Sequence, residues 1–133
     1  MKRRALLTVL ALAACSRPPR CKRCGMVLDP SSRWLAELRN GDVVERFDTP
    51  KCAFAAWRGG RPAGTTLRLR GYYSQRELDA AEIVLAVGSD VLGPMGPDLV
   101  PVEREHGAKF SADHHARMVE AAAVTLALAD DPR

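Results

Sequence analysis

The chain has 133 residues, a formal net charge of +4 and only 5% aromatic residues. That length accommodates one small domain or two very small halves. Arg39, Arg46, Arg58, Arg61, Arg68, Arg70 and Arg76 are interleaved with acids, and no basic block with aromatics stands out, which counts against a nucleic-acid partner.

The amino terminus reads as an address rather than as part of the fold. Lys2, Arg3 and Arg4 form a positive region, and Ala5 to Ala14 is an apolar run too short to span a bilayer as a stable helix. The run ends in Leu12-Ala13-Ala14-Cys15, which resembles the lipobox of bacterial lipoproteins. That resemblance implies cleavage before Cys15, lipidation of its sulfur and a protein held to the membrane by its acyl chains, on the periplasmic or outer face. The alternative is an ordinary secretory signal with an incidental cysteine. Cleavage would remove three cations and bring the formal charge from +4 to about +1, so the sequence pI of 9.1 says little about partners. It would leave Cys21, Cys24 and Cys52 besides Cys15. Three thiols in an exported protein mean that at least one is free, metal-bound or paired with another chain. Ser16 to Arg20, with Pro18 and Pro19, reads as a short extended tether.

Beyond the tether the pattern alternates between strand and helix. Arg33 to Leu38 alternates as a strand, Asn40-Gly41 signals a hairpin turn, and Val43 to Phe47 returns. Asp48 or Thr49 can cap a helix whose first turn holds Pro50 and which runs through Cys52, Phe54 and Trp57 to Gly59-Gly60. Thr65 to Leu69 alternates again, giving β-β-α-β. Ser74 to Leu78 looks like a capped helical turn, with Ser74 at the cap and Glu77 three residues on. Glu82 to Val87 is a strand. Gly93-Pro94-Met95-Gly96-Pro97 is a stiff loop that presents a methionine, and Leu99 to Glu103 returns as a strand that Pro101 marks as an edge. Gly107 to Phe110 can open a helix, and Ala112 to Ala129 has high helix propensity. The second half thus follows the first loosely in its order of elements.

The chemistry concentrates in Cys21-Lys22-Arg23-Cys24-Gly25-Met26. Thiols and thioethers are the soft donors that select Cu(I), and a methionine two residues after the second cysteine tilts the reading toward copper. Cys24 is the first candidate ligand and Met26 the second, with Gly25 allowing a tight turn between them. Cys21 adds a third sulfur or closes a disulfide with Cys24 when no metal is present. Met95 is a further candidate, because packing explains a methionine between proline and glycine poorly. Cys52, among Ala53, Phe54 and Ala56, reads first as a buried helix residue, with a ligand or disulfide partner as the alternative, and Asp48 reads as part of a turn or cap. His106, His114 and His115 read as surface residues; the last two point about 100° apart on a helix and cannot easily share an ion. No carboxylate pair, nucleophile–base set or phosphate-cradling loop appears, so nothing points to an enzyme.

Taken together, the lipobox, Cys24-Gly25-Met26, Phe47-Asp48 with Cys52 four residues on, Gly71-Tyr72, and Pro94-Met95-Gly96 followed by Ala108-Lys109-Phe110 resemble the NosL family, the accessory lipoproteins of nitrous-oxide reductase. The resemblance implies an α+β fold of two small ββαβ modules, related in topology to the organomercurial lyase. Here a helical tail follows, because Ser111 to Ala129 reads as helix where the family runs toward another strand. The corresponding division is a signal peptide over 1–14, anchor and tether over 15–20, a first module over 21–73 and a second over 74–133. The implied activity is Cu(I) delivery for assembly of a periplasmic copper enzyme, nitrous-oxide reductase, together with an ABC-type membrane complex. Two other readings stay open: an exported thiol-redox or mercury-handling enzyme, and a structural lipoprotein with a Cys21–Cys24 disulfide.

Overall fold

The computed structural model describes residues 16–133. The signal segment and the lipidation expected at Cys15 lie outside the described residues. Two antiparallel sheets organise the chain. The first has the order β2-β1-β3-β4, built from β1 (Ala36–Asn40), β2 (Val43–Phe47), β3 (Thr66–Arg70) and β4 (Glu77–Asp79). Helix α1 (Pro50–Arg58) packs across β1, β2 and β3. The second sheet, β8-β5-β9, comprises β5 (Ile83–Val87), β8 (Val100–Glu103) and β9 (Arg117–Val119), with α2 (Gly107–His114) between β8 and β9. A two-stranded hairpin of β6 (Leu92–Gly93) and β7 (Gly96–Pro97) is inserted between β5 and β8, and a short α3 (Leu126–Asp130) follows β9.

Both sheets are built the same way. A hairpin, a helix and a returning strand leave the first strand of the hairpin in the middle: β2-β1-β3 in one, β8-β5-β9 in the other. The repeat expected from element order is therefore present as topology. The β1–β2 turn differs by one residue from expectation: Asn40 pairs with Val43, so Gly41 and Asp42 form the loop. Gly41 alone takes positive φ, which fits a type II′ hairpin.

The all-apolar strand Ile83-Val84-Leu85-Ala86-Val87 joins the two halves. Ile83, Leu85 and Val87 enter a core with Leu38, Phe47, Phe54, Leu67 and Leu69, while Val84 and Ala86 enter a second core with Val100, Val102 and Phe110. Alternate side chains of a strand point to opposite faces, so a strand covered on both sides reads as a continuous hydrophobic run. Strand β8 is an edge, as Pro101 indicates.

Two local expectations are corrected. Ser74–Leu78 is not a helical turn: Gln75 takes the left-handed conformation, and Glu77–Asp79 pairs with β3. Leu78, buried opposite Leu69, sets that register. The helix expected to run from Ala112 to Ala129 is also interrupted. Helix α2 ends at His114, His115 takes φ +52°, and Arg117–Val119 adds to the open edge of β5. Helix propensities differ by only about 0.7 kcal/mol per ordinary residue. Pairing β5 and burying Val119 and Ala116 outweigh them. Helical structure returns at α3, capped by Thr125, whose hydroxyl accepts from the Leu128 N–H at 3.2 Å. No helix of the described residues is long and apolar enough to cross a membrane.

Candidate metal centre

Three segments converge at one end of the first sheet. The Cys21–Met26 segment forms a closed loop: the Cys21 N–H donates to the Met26 carbonyl at 2.8 Å, and the Gly25 N–H donates to the Cys21 carbonyl at 3.1 Å. Gly25 has φ +78°, a conformation that costs glycine nothing. The Arg20 guanidinium closes the loop by donating to the Gly25 carbonyl at 2.9 Å. The Lys22 N–H donates to the Arg46 carbonyl of β2 at 3.2 Å, and Arg23 pairs with Asp130 of α3 at 2.8 Å. The loop is thus held to the sheet on one side and to α3 on the other.

The second segment is the end of β2, where Asp48 follows Phe47. The third is the first turn of α1. Either Asp48 or Thr49 could have capped that helix. The structure uses Thr49, whose Oγ1 accepts from the Cys52 N–H at 3.4 Å. Asp48 is thereby free of capping. One atom each from Cys21, Cys24, Asp48 and Cys52, the three sulfurs and a carboxylate oxygen, lie within 4.8 Å of one another. Such a group is able to hold a metal ion.

The thiols are free among the described residues. Cys21 and Cys52 are each 4% exposed, whereas Cys24 is exposed. The Cys24 thiol donates to Asp48 Oδ1 at 3.3 Å, and Asp48 Oδ2 is buried with no hydrogen-bond partner. Partial enclosure of the Cys24 sulfur pushes its pKa above the usual thiol value, and its bonds to Cys21 and Asp48 act in the same direction; a backbone bond at Met26 opposes them. Burial pushes Cys52 up much further, with the Thr49 bond opposing and the charges of Cys21, Asp48 and Cys24 adding to the rise. Cys24 and Cys52 are therefore both held toward their protonated form. Any metal that takes them as thiolates must release those protons.

Met26 closes the sulfur loop through its carbonyl, and Met95 sits on the β6–β7 hairpin. Met26 is 39% exposed and lines a shallow cleft with Asp48 and Pro94. Met95 is 37% exposed at the turn of the β6–β7 hairpin. That hairpin docks on the first turn of α1: Lys51 Nζ donates to the carbonyls of Met95 at 3.4 Å and Pro97 at 3.1 Å. Asp98 Oδ1 accepts from the Lys51 N–H at 2.9 Å. Burial raises the Asp98 carboxyl to about 6, against the lowering effect of the Lys51 and Leu99 N–H groups.

The family model of NosL matches residues 13–129. The chain belongs to the NosL family. The crystal structure of the copper chaperone NosL from Shewanella denitrificans shares its fold, with a TM-score of 0.69, 15% sequence identity, and coverage of 82% of this chain and 91% of that one. No curated protein sequence matches the chain.

Within this NosL-family chain, the structure joins Cys21 and Cys24 to Cys52, read from the sequence first as a buried residue with a ligand role as the alternative, and to Asp48, read as a turn or cap. Cys52 is buried as expected, yet its sulfur faces the other thiols rather than the apolar core alone. The spacing held a signal: Asp48 and Cys52 bracket the helix cap Thr49, so the turn at the start of α1 returns Cys52 toward Asp48. None of the three histidines joins the group. His114 instead bonds Asp90 at 2.7 Å and packs on the Phe110 ring at 4.3 Å.

Proposed function

We propose that this chain is a copper chaperone that binds Cu(I) as cargo and releases it by ligand exchange. The single observation that supports it is a pre-assembled thiol cluster with one exposed member, Cys24, in front of the two buried members Cys21 and Cys52. Cu(I) is satisfied by two or three soft ligands. Cys24 with Cys21 or Cys52 supplies thiolates, and Met26 and Met95 supply thioethers at the solvent side. An incoming thiolate or thioether can attack the ion beside Cys24 while a buried thiol still holds it. The ion then passes without being free in water.

The family and the lipobox-like Leu12-Ala13-Ala14-Cys15 support the finer reading. Cys15 carries the lipid, the chain works on the periplasmic or outer face of the membrane, and the client is a copper enzyme, nitrous-oxide reductase, assembled with an ABC-type complex. In this reading the chain is a carrier and not a catalyst. The test is titration of the reduced protein with Cu(I) against a competing chelator. One-to-one binding that weakens about a hundredfold or more in Cys24→Ala is expected, since a lost soft ligand leaves the buried pair unreachable. An affinity indifferent to that substitution overturns the reading.

A further inference from the structure

We infer that the segment from Arg17 to Val27 is a docking surface for the anionic headgroups of a phospholipid bilayer, apart from any acyl chain on Cys15. The inference starts from where the charge sits. Residues 16–28 carry four cations, Arg17, Arg20, Lys22 and Arg23, and no acid, whereas residues 29–133 carry 13 cations and 16 acids. The chain beyond Cys15 is thus positive at its start and negative over the rest. Basic residues beside a membrane attachment point are drawn to anionic lipid, and the attraction fades within a Debye length. All four side chains are exposed, and among the described residues only Arg23 meets an acid, Asp130. By contrast, Arg39, Arg46, Arg68 and Arg104 on the body of the fold are each paired with carboxylates.

These cations are fixed to the fold. The Leu28 N–H donates to the Pro19 carbonyl at 2.9 Å, and Arg20 pairs with Val27 as an antiparallel bridge. Only Ser16, Arg17 and Pro18 therefore lie between Cys15 and the first residue stitched into the domain. At full extension that leash reaches about 14 Å. A domain on so short a leash keeps its basic loop against the headgroup layer. The same loop exposes Met26 at 39% and Val27 at 50%, so apolar side chains stand among the cations, as on surfaces that settle at the headgroup boundary. An acidic protein surface would satisfy the charge as well, but the position of the cations, next to the attachment point, favours the bilayer. The leash argument rests on the proposed lipid at Cys15; the charge and the exposed apolar residues do not. Docked in this way, the loop that carries Cys24 faces the headgroups.

The test uses the unlipidated chain from Ser16, which holds both hydrophobic cores, and vesicles of phosphatidylcholine with and without phosphatidylglycerol. At low ionic strength, cosedimentation is expected to rise about tenfold or more when the anionic lipid makes up about a third of the vesicle, and to be lost at about 0.5 M salt. Arg17→Glu with Lys22→Glu should cut binding about tenfold or more. Neither side chain bonds to another group among the described residues, so the fold is kept. Arg76→Glu with Arg117→Glu makes the same change in net charge at exposed positions elsewhere and should cost less than about twofold. No preference for anionic vesicles, or equal losses in the two double variants, overturns the proposal. A chain indifferent to those vesicles but retained on polyglutamate would also overturn it, and would assign the cations to an acidic protein. A mass showing Cys15 without lipid, with vesicle binding intact, would instead overturn only the lipid-anchor reading.

Discussion

The two strand-to-helix junctions of the molecule occupy equivalent places in equivalent modules, and each carries a buried acid. In the second module the acid is Glu103, the last residue of β8. Its carboxylate accepts from the Ser74 N–H at 2.8 Å and the Tyr73 N–H at 3.2 Å. Burial alone would raise its pKa, but those bonds prevail and hold it below the usual carboxylate range. In the first module the acid is Asp48, just past β2, with one oxygen on the Cys24 thiol and the other unpartnered. The difference separates an acid saturated by backbone donors from one left open at the same topological place. Glu103 is saturated by backbone donors and fastens the chain between the modules. Asp48 keeps an oxygen open toward three thiols.

The contrast can be broken most sharply by removing each carboxylate. Glu103→Ala strands two backbone N–H groups and is expected to lower unfolding free energy by about 2 kcal/mol or more, with Cu(I) affinity unchanged. Asp48→Asn should leave stability the same or slightly higher in denaturant melts, because the buried Oδ2 it replaces has no hydrogen-bond partner to lose. Equal destabilisation by the two substitutions would show that both acids are structural.

Gly71 supplies a second, smaller handle. A Cβ there would lie 2.2 Å from Glu103 Oε1 and 2.6 Å from its carboxyl carbon. Gly71→Ala should therefore displace Glu103 and cost about 1–2 kcal/mol, again without touching metal binding. The helix starts extend the comparison. Thr49 caps α1 through its side chain, whereas His106 at the start of α2 makes no such bond. Thr49→Ala is expected to cost about 1 kcal/mol and His106→Ala a few tenths at most.

A further effect, comparable to the loss of the Thr49 cap, is read by pH. The folded-state pKa of Asp98 is raised from 3.8 to about 6. Between those values the folded chain binds its proton more than the unfolded chain does. Its contribution to stability is therefore present at low pH and is lost as pH rises through the folded pKa. Relative to Asp98→Asn, the unsubstituted chain should gain about 1 kcal/mol on going from about pH 7 to about pH 5. A constant difference between the two proteins across that range would contradict the assignment.

Much of the fold was legible because local signals agreed. Val43–Phe47 and Ile83–Val87 are strands where apolar pattern, turn residues and glycine punctuation coincide, and Pro50 and Gly59 bound α1 as their chemistry dictates. Arg117–Val119 was not legible, because the segment prefers helix until β5 offers it an edge. Glu77–Asp79 was hidden for the same reason: Leu78 becomes a strand residue only against Leu69. The sulfur loop stood out in the sequence through Cys21, Cys24 and Met26. The partnership of Cys52 and Asp48 with it did not, since contact across more than twenty residues depends on the sheet that brings β2 beside the loop. Asp48 was further masked by Thr49, as either residue type can cap a helix.

X-ray absorption at the copper edge of the Cu(I)-loaded chain tests the thiol cluster most directly. A first shell of sulfur alone, depleted in Cys24→Ala, is the expected result. A shell dominated by nitrogen or oxygen, or one that Cys24→Ala leaves intact, would contradict it.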